Sequence, residues 1–130
     1  MLRALCVALA IAGCAAPSTG AGALSLAGTE WRRVDRAADA PHSPTLAFDA
    51  ERASGSSGCN RWGAEYELSG DQLRFNGGMM TEMACDEPRM ATEAAFMPLI
   101  EQARGVRQDG DALVLLDADG AQIARLERVR

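Results

Sequence analysis

The chain has 130 residues, 13 of them basic and 18 acidic, for a formal net charge of −5, and 48% of it is apolar. That length supports one domain with a modest core and no more. An acidic chain without basic clusters argues against nucleic acid as a partner and against electrostatic docking on anionic lipid. All the basic residues are arginine and alanine is abundant. This is the imprint of genome composition and carries no function.

The first 13 residues place the terminal amine and Arg3 ahead of an apolar run from Ala4 to Ile11, followed by small residues. That is the layout of a bacterial export signal peptide. An apolar run of about ten residues is too short to span a bilayer, which takes roughly 20. Ile11-Ala12-Gly13-Cys14 resembles the lipobox of bacterial lipoproteins, which implies cleavage before Cys14 and acylation of that cysteine. Ordinary secretion, with Cys14 incidental, is the competing reading. Cleavage removes Arg3 and leaves 12 basic and 18 acidic residues, a net charge of −6. Membrane attachment then rests on acyl chains at Cys14, several of which hold far better than one. Residue 15 is Ala, where an acid is the usual inner-membrane retention signal. The expected location is therefore the bacterial cell envelope, at the outer membrane and facing the periplasm. Residues 14–27, rich in Ala, Gly, Ser and Thr, read as a flexible tether, and the folded domain is expected over 28–130.

Thr29 to Val34 alternates as a first strand with Trp31 inward and Arg32 toward solvent. Residues 35–44, with Pro41, His42 and Pro44, form a loop, and Leu46 and Phe48 mark a second strand. Ser54 to Gly58 reads as a flexible segment. Glu65–Leu68 and Gln72–Phe75 flank Ser69-Gly70-Asp71 as a hairpin with Tyr66, Leu68, Leu73 and Phe75 on matching faces. Asn76-Gly77-Gly78 is expected to turn the chain, and Met79 to Met83 to form a further short strand. Asp86-Glu87-Pro88 starts a helix, with an acceptor at the cap, an acid in the first turn and a tolerated proline. Phe96, Leu99, Ile100 and Ala103 share one helix face. Pro98 is expected to kink that helix without stopping it, and Gly105 to end it. Asp111–Leu116 and Ile123–Val129 form a closing hairpin around 117–120, the first of its strands apolar on both faces. The order predicts an α+β fold, an antiparallel sheet of several short strands with one helix packed on it.

Of four cysteines, Cys6 leaves with the signal and Cys14 is the lipidation site. Cys59 and Cys85 remain in an oxidising compartment, where a lone pair usually forms a disulfide. Closing a loop of about 26 residues stabilises a fold by roughly 3–4 kcal/mol on the chain-entropy account. Two reduced thiols, buried or binding a soft metal, are the alternative.

Gly58-Cys59-Asn60-Arg61-Trp62-Gly63 followed by Tyr66, and then Thr81-Glu82-Met83-Ala84-Cys85, resemble the two signatures of the META domain family. Glu93 and Phe96 sit where that family has a Glu and an aromatic on its helix. Trp31 after Gly28-Thr29, Leu46 with Phe48, and Leu113 with Leu115 also fit, so the resemblance spans about residues 28–130. It is similar to the lipid-anchored, heat-inducible HslJ-like members. It implies a small, strongly curved β-sheet domain with one helix, without enzymatic activity, linked to stress response, heat shock and novobiocin tolerance. Pro98 and Met79-Met80 depart from the family pattern.

Read from their own chemistry, Gly58 and Gly63 let the backbone turn sharply on both sides of the cysteine. Asn60 can bond its own loop, and Asn60 and Thr81 are plausible partners once sulfur draws the segments together. Two readings stand for these residues: a structural junction, or a surface that reads a ligand. Glu93 leans toward the core and is expected to pair with a buried donor, Arg61 being the candidate.

Catalysis finds little support. His42 lies alone in a loop, and the acid pairs 109/111 and 117/119 sit in turns. Asp117-Ala118-Asp119-Gly120 lacks the remaining ligands of a calcium loop. Met79, Met80, Met83, Met90 and Met97 around Cys85 would suit Cu(I), although core filling is their ordinary role. No catalytic residue, cofactor or metal is assigned. The preferred function is a non-enzymatic, lipid-anchored envelope protein that contacts an unidentified envelope protein. The alternative is a periplasmic small-molecule or metal-binding module using the Asn60–Trp62 loop and the Met-rich strand. A deep apolar pocket beside Trp62 and Tyr66 would favour that alternative.

Overall fold

A computed structural model describes Gly13, residues 24–34 and residues 42–129. Cys14, and with it the proposed lipid site, lies outside the described residues, as do residues 35–41 of the first loop. The elements run β1 (Thr29–Arg33), β2 (Thr45–Phe48), β3 (Arg52–Ser56), β4 (Arg61–Ser69), β5 (Gln72–Met80), α1 (Glu87–Gln102), β6 (Gly105–Asp109), β7 (Ala112–Leu116) and β8 (Gln122–Arg128). Every strand pairs antiparallel with its sequence neighbour, and β8 returns to β1, so the sheet closes into a barrel.

The expected α+β fold holds, an antiparallel and strongly curved sheet with one helix, and the curvature goes as far as closure. Short strands with one inward set of side chains have two ways to bury it: a covering layer, or curling until the sheet faces itself. Here Trp31, Leu46, Leu73, Leu113, Leu115 and Leu126 fill the interior and are almost fully buried. An eight-stranded barrel has an interior of about the width that side chains can fill. In β1, Thr29, Trp31 and Arg33 are buried while Arg32 is exposed, as the alternation requires. In β7, residues 112–115 are all buried, so that strand is covered on both faces. Leu26 is also buried and Leu24 packs against the core. The packed domain therefore begins inside the segment read as tether.

The barrel is weakest between β5 and β6, which share one register pair, Gln72 with Gly105. The helix is the connection between these two strands, and its Phe96 and Ile100 enter the same core cluster as the strand residues. Asp86 caps it by accepting from the Arg89 amide, with Pro88 in the first turn. The helix continues through Pro98 to Gln102, and Ala103 rather than Gly105 forms its cap; Gly105 opens β6.

Three local expectations change. Residues 54–56 belong to strand β3, not to a flexible segment. Gly55 is required there because a Cβ would sit 2.0 Å from the Thr45 carbonyl oxygen on β2. Gly77-Gly78 do not turn the chain. Pairing steps from Gly63–Met79 to Glu65–Asn76, so β5 carries one extra residue, a β-bulge with Gly77 at φ +61°. The segment 79–83 is divided: Met79 and Met80 end β5, and residues 81–86 are irregular.

Candidate functional site

The two signature segments meet where β4 begins, against the first half of α1. Cys59 and Cys85 form a disulfide with their Cα atoms 5.9 Å apart. Gly58 has φ +104°, and a Cβ there would lie 2.7 Å from the Thr92 methyl group, so only glycine lets the loop press against the helix. Gly63 has no such role. It lies within β4, where an added Cβ would meet nothing closer than 3.5 Å.

Asn60 is the hub of this junction and is 3% exposed. Its Oδ1 accepts from the Thr81 hydroxyl at 3.0 Å and from the Met83 amide at 2.6 Å. Its Nδ2 donates to Glu93 Oε1 at 2.9 Å and to the Met83 carbonyl at 3.3 Å. One side chain therefore joins both signatures and the helix. Thr81 Oγ1 in turn accepts from the Arg61 amide. Arg89 Nε donates to the Gly58 carbonyl at 3.1 Å, adding a second tie from helix to loop. Met83 contributes through its backbone, while its side chain and Ala84 are exposed.

Glu93 does lean inward, but its partner is not Arg61, whose side chain is exposed. Its Oε1 accepts from the Ser57 hydroxyl, the Asn60 amide and Asn60 Nδ2. Burial acts to raise the Glu93 pKa. The bonds from Ser57 and from the side chain and backbone of Asn60 outweigh it and hold the carboxyl below its ordinary value. The site thus holds a stabilised carboxylate, the opposite of what a proton donor near neutral pH needs.

Ser57 is the site residue that sequence reasoning missed. It is fully buried, and its hydroxyl accepts from the Asn60 amide three residues on. A Ser followed at i+3 by the first residues of a strand is a hydrogen-bonded turn signal. It was hidden by the Gly- and Ser-rich composition around it.

Beyond the hub, Tyr66 packs edge-on against Phe48 at 4.9 Å and donates to the Asp49 carbonyl. Burial, then the Asp49 charge, push its phenol pKa up. Phe96 is fully buried and meets the Trp62 ring at 6.1 Å, and Phe75 meets Trp62 at the same distance from another side. Trp62 is 4% exposed, and its Nε1 is the one buried side-chain nitrogen or oxygen among the described residues with no hydrogen-bond partner. A cavity of about 370 Å³ lies beside it, between the end of β5 and α1; Tyr66 does not line it. A larger depression of about 780 Å³ lies at the other end of the β4–β5 hairpin, among exposed residues of mixed charge such as Glu67, Arg74 and Arg104.

The methionines are not core filling, with one exception. Met79, Met80, Met83 and Met90 are exposed, and Met97 packs against the core. With the sulfurs of Cys59 and Cys85 bonded to each other, neither supplies a thiolate to a soft metal. Among the described residues no group of three or more His, Cys, Asp or Glu is placed to hold a metal ion, and no helix is long and apolar enough to cross a membrane. His42 is exposed.

Comparison with known proteins gives a consistent picture. A family model described as META domain matches residues 24–130. An NMR structure of a protein from Burkholderia xenovorans is 27% identical with a TM-score of 0.64, over 81% of this chain and 85% of that one. A crystal structure of a DUF4847 family protein from Bacteroides vulgatus has a TM-score of 0.60 at 13% identity, over 78% and 93% of the respective chains. That second likeness is one of fold alone. A search of curated proteins finds no match.

Proposed function

Because this chain belongs to the META domain family, we propose that it acts as a non-enzymatic, lipid-anchored protein of the bacterial envelope, similar in role to HslJ-type lipoproteins. The observation that carries this reading is the commitment of the signature residues to one another. Asn60, Glu93, Ser57 and Thr81 spend their polar atoms holding two chain segments and a helix around a disulfide. Groups bonded in this way serve as a fastening and leave no activated nucleophile beside a base. A disulfide at this point suits an oxidising compartment, which favours export over the cytosol.

In this reading Cys14 carries acyl chains, the barrel hangs at the periplasmic face of the outer membrane, and its surface contacts another envelope component. Stress and antibiotic tolerance, novobiocin included, would follow from that contact. Metabolic labelling with a clickable palmitate analogue tests the anchor. Label should enter the native chain and be absent from Cys14→Ser, which should move to the soluble fraction. A native chain that takes no label overturns the anchor. Cross-linking from the anchored protein then tests the contact: a reproducible envelope protein adduct supports it, and an exclusively uncross-linked chain at native abundance counts against it.

A further inference from the structure

The cavity beside Trp62 differs in kind from the rest of the molecule. Its wall is Trp62, Ala64 and Phe75 from the barrel, Met79 and Met80 from the end of β5, and Met97 and Ile100 from the helix. At about 370 Å³ it falls within the range of small-ligand sites. Methionine is the adaptable side chain of such surfaces, since its thioether is polarisable and three torsions let it follow varied shapes. Met79 is 75% exposed, a large apolar side chain left in water at the cavity mouth.

Charge gives the cavity a chemical preference. Glu101, exposed on α1, supplies the sole charge in the lining. Trp62 Nε1 is buried without an acceptor and closed to water, so its resonance reports on a neighbour in the cavity without bonding it. A ligand that suits this lining needs an apolar body and a cation beside Glu101. The bulge at Gly77-Gly78 belongs to the same wall. It keeps side chains off this part of β5, so a flat body can approach the backbone.

We propose that the cavity between β5 and α1 beside Trp62 binds a small cationic amphiphile, with an aromatic or alkyl body among the methionines and a protonated amine against Glu101. The site is separate from the disulfide junction, whose polar groups are committed internally. It does not depend on anchoring, so failure of lipidation and failure of binding are distinguishable.

The test uses N-(2-aminoethyl)-1-naphthamide as probe and N-(1-naphthoyl)glycine as its anionic match, followed by ¹H–¹⁵N spectra of the labelled protein. Two tryptophans give two indole resonances. Trp31 Nε1 already donates to Thr29 Oγ1 at 2.8 Å and serves as the internal control. The amine should shift the Trp62 resonance saturably below millimolar concentration and leave Trp31 in place. The carboxylate should bind at least about threefold more weakly. Glu101→Lys, an exposed change, should abolish or reverse that preference. Trp62→Phe keeps an aromatic ring against Phe75 and Phe96 but removes part of the indole wall, and should weaken the amine probe, read by naphthyl fluorescence, by about two- to tenfold. A Trp62 resonance that does not move at millimolar probe, as a cavity holding water alone would give, overturns the proposal. So do equal shifts at Trp31 and Trp62, or equal affinity for amine and carboxylate in the native protein.

Discussion

Asn60 and Trp62 stand two residues apart at the start of β4 and are both buried, yet they are finished in opposite ways. Asn60 makes four hydrogen bonds through its side-chain amide to Thr81, Met83 and Glu93. Trp62 has aromatic neighbours on two sides and an indole N–H with no partner. On the Asn60 side, a disulfide, a glycine whose φ of +104° would strain any other residue and a carboxylate held below its ordinary pKa lock two segments to a helix. On the Trp62 side, β5 and β6 share one register pair, and the helix supplies Phe96 and Ile100 to the core. The difference separates two questions that a sequence signature merges. The signature is the device that clips the helix into the gap of the barrel, while the unspent bonding capacity lies beside it.

Breaking the clip should cost far more stability than altering the cavity mouth, and the effects can be ranked. Replacing Cys59 and Cys85 together by Ala should lower stability by about 3–4 kcal/mol, because the 26-residue separation no longer restricts the unfolded chain. Urea denaturation with and without the bond measures it. Asn60→Ala should cost about 2–3 kcal/mol, since it takes the acceptor from the Met83 amide and the Thr81 hydroxyl and one of three donors from Glu93 Oε1. A loss under about 0.5 kcal/mol would mean water replaces the amide freely.

Glu93→Gln should have a smaller effect at neutral pH, about 1 kcal/mol, with a distinctive pH signature. The folded-state pKa of Glu93 lies below its ordinary value near 4.5. Its contribution is therefore present above that value and is lost as pH falls through the folded pKa. Thermal scans from pH 6 down to pH 3 should show the native protein losing stability more steeply than the variant in the acid range. Identical slopes would detach Glu93 from the junction. Met79→Ser, at the mouth of the cavity, should change stability by less than about 0.5 kcal/mol. A larger loss would show that the exposed methionine is part of the fold, and the contrast between the two regions would narrow.

Local signals in the chain were legible and closure was not. Trp31, Leu46 and Phe48 alternate with less buried residues, and the Gly70-Asp71 turn pairs Tyr66 with Phe75 and Leu68 with Leu73, as the periodicity requires. The Asp86 cap and the Phe96/Ile100 face of the helix are equally local. Strand β3 escaped because Arg52–Ser56 buries one side chain, Ala53, and owes its place to the close approach of Gly55 to Thr45. Strand β6 escaped for a similar reason: of its five residues only Val106 is buried. Pairing of β8 with β1 joins opposite ends of the chain, and no local pattern encodes it. At the junction, the Asn60–Thr81 contact followed from the sulfur link, whereas the Glu93 partner was misassigned. A cation looks like the natural mate of a buried carboxylate, but three uncharged donors do the same work without burying an arginine.

The account rests on Asn60 acting as a hub between the first signature and the helix, and a double-mutant cycle of Asn60→Ala with Glu93→Ala, followed by urea denaturation, reads that link directly. Coupling of about 1–2 kcal/mol is the predicted result, because the bond from Asn60 Nδ2 to Glu93 Oε1 is lost in either single change and cannot be lost twice. Additive losses, with coupling under about 0.3 kcal/mol, would contradict it and leave the disulfide as the main tie between the two segments.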